Sequence, residues 1–351
     1  MKIDANSVTF EPQDMAFVKK FGILKATEMV LDYHAEHPNL PFLYDAEQLA
    51  GFLGISRGEL NDIVNHIQKE YKETRLPKKD GTYRSLCVPS IRLRFCQDPI
   101  KEKILPQLPV SKFATAYQKG STTRGNAEPH IGKKFLLKLD ITDFFGSVTF
   151  EQVQRTAFNT RYISRQVGYL LTSLCCKDDS LPQGAATSPA LSNIVMYRFD
   201  NYIGRWCSQR QIAYTRYCDD MTFSANRPLY GVYQKVKTML REMGFELNES
   251  KTHFIGNDNR QSVTGLVVNE KLSIPSGYKR DLRQEVYYAL KFGVEDSILH
   301  GHRSDFIEDG KPICCPTYML HLIGKVQYVL QIEPENLWFK DAQKKLLAYT
   351  Y

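Results

Sequence analysis

A chain of 351 residues with 42% hydrophobic content can bury a sizeable core in two or three subdomains, and no window approaches the length of a membrane span. The formal charge of +7 speaks against an acidic, self-repelling chain and suits a polyanionic partner. Eight cysteines fall as scattered singles and two adjacent pairs without CxxC spacing, which indicates neither a zinc site nor a disulfide framework.

The opening MKIDANSVTF lacks the basic start and apolar run of a signal peptide, so a cytoplasmic location is expected. Residues 1 to about 70 read mostly as helix. In DAEQLAGFLGISRGELNDIV, Leu49, Ala50, Leu53, Ile55, Leu60 and Ile63 follow helical spacing around Gly54, and Ser56 suits the N-cap of a second helix. This has the look of a helix-turn-helix, open to DNA reading or to simple packing as a helical hairpin. With Arg57 the one obvious phosphate contact, packing is favoured.

Next, LPKKDGTYRSLCVPS reads as strand, basic Asp-Gly turn and strand, with Lys78, Lys79 and Arg84 around the turn. It is either a solvated turn or a basic clamp for a triphosphate, in which Arg84 offers a forked phosphate contact. From about 135 to 270 the elements run strand, helix, helix, hairpin, helix and strands, a split βαββαβ arrangement. Its first strand, FLLKLDITDFF, delivers Asp140 and is followed by Asp143, Phe144 and Phe145; Thr149 and Gln152 then form a capping box. SLPQGAATSPALSNIVMYRFD is a loop and a helix, with Ser188 as cap, Pro189 in the first turn and Gln183 in a PQG turn suited to close backbone approach.

In IAYTRYCDDMTFSA, Asp219 and Asp220 sit at the tip between two β-prone runs. Adjacent acids repel, so the pair is either solvated or neutralised by a cation. Together with Asp140 they supply the ligands of a two-metal phosphoryl-transfer site, one ion activating a 3′-hydroxyl and the other stabilising pyrophosphate. Mg²⁺ is the expected ion, being hard and completing its shell with substrate phosphates, with Mn²⁺ as substitute. Cys218 reads as a small filler in this turn. Beyond residue 275, YKRDLRQEVYYALKFG and PTYMLHLIGKVQYVL read as helices with basic and aromatic faces, and Lys279, Arg280 and Arg283 are candidate phosphate contacts.

LDITDFF, LPQGAATSP, RYCDD and MGFELNESKT, in that order, resemble the palm motifs of reverse transcriptases, and KKDGTYR resembles their fingers hairpin. The likeness spans about 75 to 270. GNAEPH, with Asn126 and His130, resembles the NAxxH signature of retron reverse transcriptases, and SVTGLVV, with Val263, Thr264 and Gly265, resembles their VTG signature. Two positions depart from the pattern: Cys218 stands at the variable place of the YxDD box, and Ala186 where proline is usual.

The resemblance implies an α+β right-hand polymerase: an N-terminal helical extension (1–70), fingers (71–134), a ferredoxin-like palm (135–270) and a helical thumb (271–351). It implies Asp140, Asp219 and Asp220 as catalytic metal ligands for two Mg²⁺, aided by the Ile141 carbonyl. Lys78 and Arg84 would hold the dNTP triphosphate, and Phe145, supported by Phe144, would exclude a 2′-hydroxyl. Gln183 would brace the nucleotide or template, Tyr217 would press near the primer end, and Lys251 would help place it. Asn126, His130, Val263, Thr264, Gly265, Lys279, Arg280 and Arg283 would serve RNA recognition. For His130 the alternative is a capped turn histidine in the core.

For the family, the expected partner is a structured non-coding RNA, primed from the 2′-hydroxyl of a guanosine and partly copied into a branched RNA–DNA product (msDNA). An effector protein in antiphage defence is the further partner implied; no membrane partner is, and oligomerisation stays open. The competing expectations are a non-retron bacterial reverse transcriptase, of the diversity-generating or defence type, and an RNA-binding scaffold that restrains an effector.

Overall fold

The computed structural model describes residues 8–77, 81, 83–159, 163–301, 304–313 and 315–349. It opens with four helices, α1 (Met15–Phe21), α2 (Ile23–Glu36), α3 (Ala46–Leu53) and α4 (Arg57–Asn65). Local chemistry sets the joint between the last two. Asp45 accepts from the amides of Glu47 and Gln48, Gly54 ends α3 at φ 74°, and Ser56 and Glu59 form a capping box that starts α4. Leu49, Leu53, Leu60 and Ile63 are buried, as expected of a packed hairpin.

The hairpin β1 (Tyr71–Pro77) and β2 (Tyr83–Pro89) pairs antiparallel from Tyr71↔Pro89 to Pro77↔Tyr83. Lys78 and Lys79, expected at its tip, lie outside the described residues. Then come α5 (Ile91–Pro99), the short α6 (Thr123–Ala127), β3 (Phe135–Asp140), α7 (Phe150–Ala157), α8 (Arg165–Cys175), α9 (Ser188–Val195) and α10 (Tyr197–Ser208). The hairpin strands β4 (Ala213–Tyr217) and β5 (Asp220–Ala225), α11 (Tyr230–Glu242) and β6 (His253–Gly256) complete the middle of the chain. The order of the four-stranded sheet, β4-β5-β3-β6, is that of a ferredoxin-like βαββαβ unit. The expected capping box of α7 forms, and its Gln152 also donates 2.7 Å to the Met243 carbonyl. Ser188, expected as a cap, is instead the first residue of α9, and its hydroxyl donates 2.8 Å to the Pro182 carbonyl, closing the PQG loop.

The remaining elements are a two-residue hairpin β7 (Ser262–Val263) and β8 (Leu266–Val267), then α12 (Ser276–Phe292), α13 (Val294–His300), β9 (Ile307–Glu308), β10 (Lys311–Pro312), α14 (Cys315–Ile332) and α15 (Leu337–Leu347). Among the described residues no helix is long and apolar enough to cross a membrane. The chain packs as two compact units: Met1–Gly120, Lys138–Met221 and Tyr230–Thr252 in the first, and Ser121–Leu137, Thr222–Leu229 and His253–Tyr351 in the second.

The core of the second unit gathers Leu282, Val286 and Ala289 of α12 with Tyr318, Leu322 and Val326 of α14 and Phe339 of α15. Most residues assigned to RNA recognition from the sequence have packing or hydrogen-bond partners within the chain. Asn126, His130 and Val263 are buried. Asn126 donates 3.4 Å to the Thr264 hydroxyl, which donates 3.2 Å to the Thr123 carbonyl, bracing α6 against the β7–β8 turn. Thr264 and Gly265 form that turn at φ 45° and 82°, the doubly positive geometry of a two-residue hairpin. Lys279 is held 2.6 Å from Glu333, which also accepts from the Ile274 amide, and Arg283 lies over the rings of Trp338 and Phe339. Arg280, Arg283 and Lys291 of α12 are exposed, with Arg280 3.3 Å from Asp281.

His130 is the in-core histidine: its Nδ1 lies 2.7 Å from the Ser224 hydroxyl, and burial pushes its pKa down from 6.5 to about 3. A histidine held neutral in the fold but protonated when unfolded contributes stability above its unfolded pKa, and that contribution is lost as pH falls from 6.5 toward 3. Between pH 8 and pH 5 the loss from this group is about 2 kcal/mol. Urea unfolding at the two pH values is expected to narrow by that amount in His130→Gln.

Candidate active site

The Asp219–Asp220 turn is built on a buried charge. Arg216 of β4 is 0% exposed and donates to Asp200 of α10 through Nε at 2.9 Å and Nη2 at 2.6 Å. Its remaining donors reach Asn193 at 3.1 Å and the carbonyl of Cys218 at 2.8 Å, and Tyr214 donates 2.8 Å to Asp200. Burial alone would lower the Arg216 pKa, but the Asp200 charge and hydrogen bonds outweigh it and the guanidinium stays ionised. The carbonyl it holds belongs to the residue before Asp219, so the pair sets where the turn carboxylates point. Cys218 itself adopts φ 61°, a left-handed conformation that a non-glycine residue keeps only when its surroundings enforce it. The Tyr117 hydroxyl donates 3.1 Å to its Sγ, and burial lifts the thiol pKa to about 11, so Cys218 is an inert filler.

Strand β3 delivers Asp140 beside this turn. The Ile141 amide donates 3.2 Å to the Asp219 carbonyl, and the Asn248 amide donates 2.8 Å to the Asp140 carbonyl. Asp140, Ile141, Asp219 and Asp220 line one cleft of about 860 Å³ together with Arg84, Phe144, Phe145, Gln183, Tyr217 and Lys251. Every site residue expected from the palm motifs, and Arg84 from the fingers, is thus in one place. Phe144 is buried, with its ring 5.6 Å from that of Phe145 and 6.1 Å from Phe245, and the Arg216 guanidinium 5.9 Å from its centre. Phe145 is thereby backed by a packed ring and faces the cleft.

The PQG turn serves a different close approach from the one expected. Gly184 has φ 127°, and a Cβ there would sit 2.8 Å from the Cys87 carbonyl oxygen. The Gln183 carbonyl accepts from the Cys87 amide at 2.7 Å, so the turn is tied to the backbone of β2. This holds the Arg84 strand at the cleft and leaves the Gln183 side chain on its wall.

The three carboxylates are electrostatically frustrated. Burial raises the pKa of Asp220, opposed by Lys138 and reinforced by the charges of Asp219 and Asp140. Burial likewise raises that of Asp140, opposed by Lys251 and reinforced by Asp219. Lys251 Nζ stands 3.0 and 3.1 Å from the two Asp140 oxygens, and Lys138 Nζ 3.4 Å from Asp220 Oδ2. Among the described residues no three His, Cys, Asp or Glu side chains converge tightly enough to enclose a metal ion. A half-built site is what the donor set fits: hard oxygens on one wall, two of them drawn to ammonium groups, with room for substrate phosphates to complete a divalent ion's shell. Sequence patterns alone did not reveal Arg216, Asp200, Asn193, Tyr117 or Lys138. The signal available was a charged residue inside each β-prone run, Lys138 in FLLKLD and Arg216 in AYTRY.

The palm sheet and its carboxylate cleft define a nucleic-acid polymerase, and the family model for reverse transcriptase (RNA-dependent DNA polymerase) matches residues 76–268. The chain is 31% identical over 321 residues to the retron Mx65 reverse transcriptase of Myxococcus xanthus, covering 85% of this chain and 70% of that one. It is 34% identical over 233 residues to the retron Ec83 enzyme of Escherichia coli, at 62% and 75% coverage. With the retron Ec86 enzyme of Escherichia coli it shares 28% over 270 residues, at 76% and 84% coverage. Among solved structures, a telomerase from Candida albicans with the TWJ fragment of telomeric RNA aligns over 97% of this chain and 75% of that one, at 12% identity and TM-score 0.44. The chain belongs to the retron reverse transcriptases and is an RNA-directed DNA polymerase of α+β fold.

Asp200→Asn leaves a charged guanidinium buried without its counter-ion. The expected loss is about 3–5 kcal/mol in urea unfolding, with DNA synthesis lost as the turn relaxes. An unchanged unfolding midpoint would show that the pair does not hold the turn.

Proposed function

We propose that this reverse transcriptase copies part of a structured non-coding RNA into DNA that remains joined to it, starting from an RNA 2′-hydroxyl. The observation that carries the reading is the single cleft that holds Asp140, Asp219 and Asp220 with Arg84, Phe145 and Gln183. Segments 1–70, 71–134, 135–270 and 271–351 act as N-terminal extension, fingers, palm and thumb.

Asp140, Asp219, Asp220 and the Ile141 carbonyl would hold two Mg²⁺. When bound, these ions lower the pKa of the attacking hydroxyl and neutralise charge on the departing pyrophosphate. Arg84 takes the triphosphate in a forked contact, and Lys78 is the second cation assigned to it from the sequence. Phe145 lies under the incoming sugar and leaves no room for a 2′-hydroxyl. Gln183 braces the nucleotide or template, Tyr217 presses on the primer end, and Lys251 moves from Asp140 to help place it. Supporting the choice of RNA is the identity to three retron enzymes across most of the chain. The same likeness supports action in the cytoplasm, with an effector protein, in defence against phage.

Asp219→Asn with Asp220→Asn is expected to abolish RNA-linked DNA synthesis on the neighbouring transcript with dNTPs and Mg²⁺ while leaving RNA affinity within about twofold, since RNA grip rests on cations rather than on these acids. Phage protection that survives the double change would make scaffolding, not synthesis, the dominant role. Phe145→Ala is expected to raise ribonucleotide incorporation relative to deoxynucleotide by about tenfold or more, read from single-nucleotide extension. Unaltered sugar selection would remove Phe145 from that role.

A further inference from the structure

One surface feature is used by none of the chemistry above. On α10 the inward positions Phe199, Asp200, Ile203, Gly204 and Cys207 are buried, and the outward stripe runs Tyr202, Trp206 and, just past the helix end, Arg210, each four residues apart. Tyr202 is 50% exposed. Lys235 of α11 leans across both rings, its ammonium 4.9 Å from the Tyr202 ring and 5.4 Å from that of Trp206, and the Arg210 guanidinium lies 4.6 Å from Trp206 on the same stripe. Beside the stripe is a shallow cleft of about 550 Å³, lined in part by Gln234, Thr238 and Met239. Tyr230 is exposed at its end, its hydroxyl accepting 2.8 Å from Gln234. None of these residues lines the catalytic cleft.

We infer that the α10–α11 face is a docking platform for a single-stranded segment of the RNA, outside the catalytic cleft; the inference rests on the RNA-copying function proposed above. A cation over a ring is an ordinary contact, found about once per 70–80 residues. Here three such contacts converge on two neighbouring rings, with a cleft alongside whose lining mixes Gln234, Thr238 and Glu242 with Met239. Charge selects the occupant. Arg198, Arg205 and Arg210 are exposed on α10 or just past it, and Arg241 on α11, whereas Asp200, the one acid of α10, is buried and Glu242 is the one acid of α11. Rings interleaved with guanidinium and ammonium groups match bases interleaved with phosphates: a base stacks on the ring as the cation swings to the adjoining phosphate. An acidic protein segment would use the cations and leave the ring faces idle.

The chain has two tryptophans, so Trp338→Phe leaves Trp206 as the sole indole reporter. Titration of that protein with a 20-nucleotide oligouridylate is expected to quench its fluorescence saturably, with an affinity that falls as salt rises. Arg210→Gln with Lys235→Gln, which leaves both rings and the fold in place, is expected to weaken that affinity by about tenfold, and Tyr202→Ala to a similar degree. Extension of oligo(dT) on poly(rA) is expected to be unchanged in both. Absence of quenching, or quenching indifferent to the two charge changes, would overturn the inference. Equal quenching by polyglutamate would overturn it in favour of a protein partner. Failure of the underlying polymerase reading is seen separately, as absent extension by the parent protein whatever its fluorescence does.

Discussion

The bidentate contact between Arg216 and Asp200 is the interaction on which the rest of the site depends. Both side chains are fully buried, and ions this deep gain little net stability, because desolvation offsets most of their attraction. What they gain is direction. A guanidinium has five donors in a rigid plane, and here they are divided among Asp200, Asn193 and the Cys218 carbonyl. That plane ties helices α9 and α10 to the Asp219–Asp220 turn, and its face is near the Phe144 ring that packs on Phe145. One side chain therefore links the Asp219–Asp220 turn to the Phe145 wall of the cleft.

Around this scaffold the carboxylates are held in a state that calls for cations. Burial, reinforced by the neighbouring acids, raises the proton affinity of Asp140 and Asp220, and Lys251 and Lys138 relieve part of that strain. The relief is incomplete and exposed to solvent on the Lys251 side, which leaves Asp140 able to exchange its ammonium partner for another cation. A cleft that satisfied its acids fully would draw no further cation. The tie between the PQG turn and β2 adds the second requirement, a fingers strand anchored close enough for Arg84 to reach the same cleft.

Legibility differed sharply between chemistry and support. Asp140, Asp219, Asp220 and Phe145 could be grouped from the sequence, because the motifs that carry them recur in order along the chain, and all four line one cleft. The capping boxes at Ser56 and Thr149 were equally legible, since a cap needs only residues three apart. Asn126, His130, Val263 and Thr264 were legible as a signature but not in meaning. The two signature segments are 138 residues apart and turn out to be halves of one brace, Asn126 on Thr264, with His130 in the core. A recurring polar residue can mark a partner or a buried hydrogen bond, and only burial distinguishes them.

The sequence by itself determined the reaction class, the palm topology and the three acids, because strand periodicity, turn chemistry and motif order are local or linear properties. Only the tertiary structure decided which charges meet: Arg216 and Asp200 beneath the turn, Lys279 and Glu333, Lys138 and Asp220, Lys251 and Asp140. It also placed Tyr202, Trp206, Arg210 and Lys235 on one face. The physical reason is that a charge takes its role from desolvation and from its nearest counter-charge, and for these residues both are supplied by segments distant in the chain.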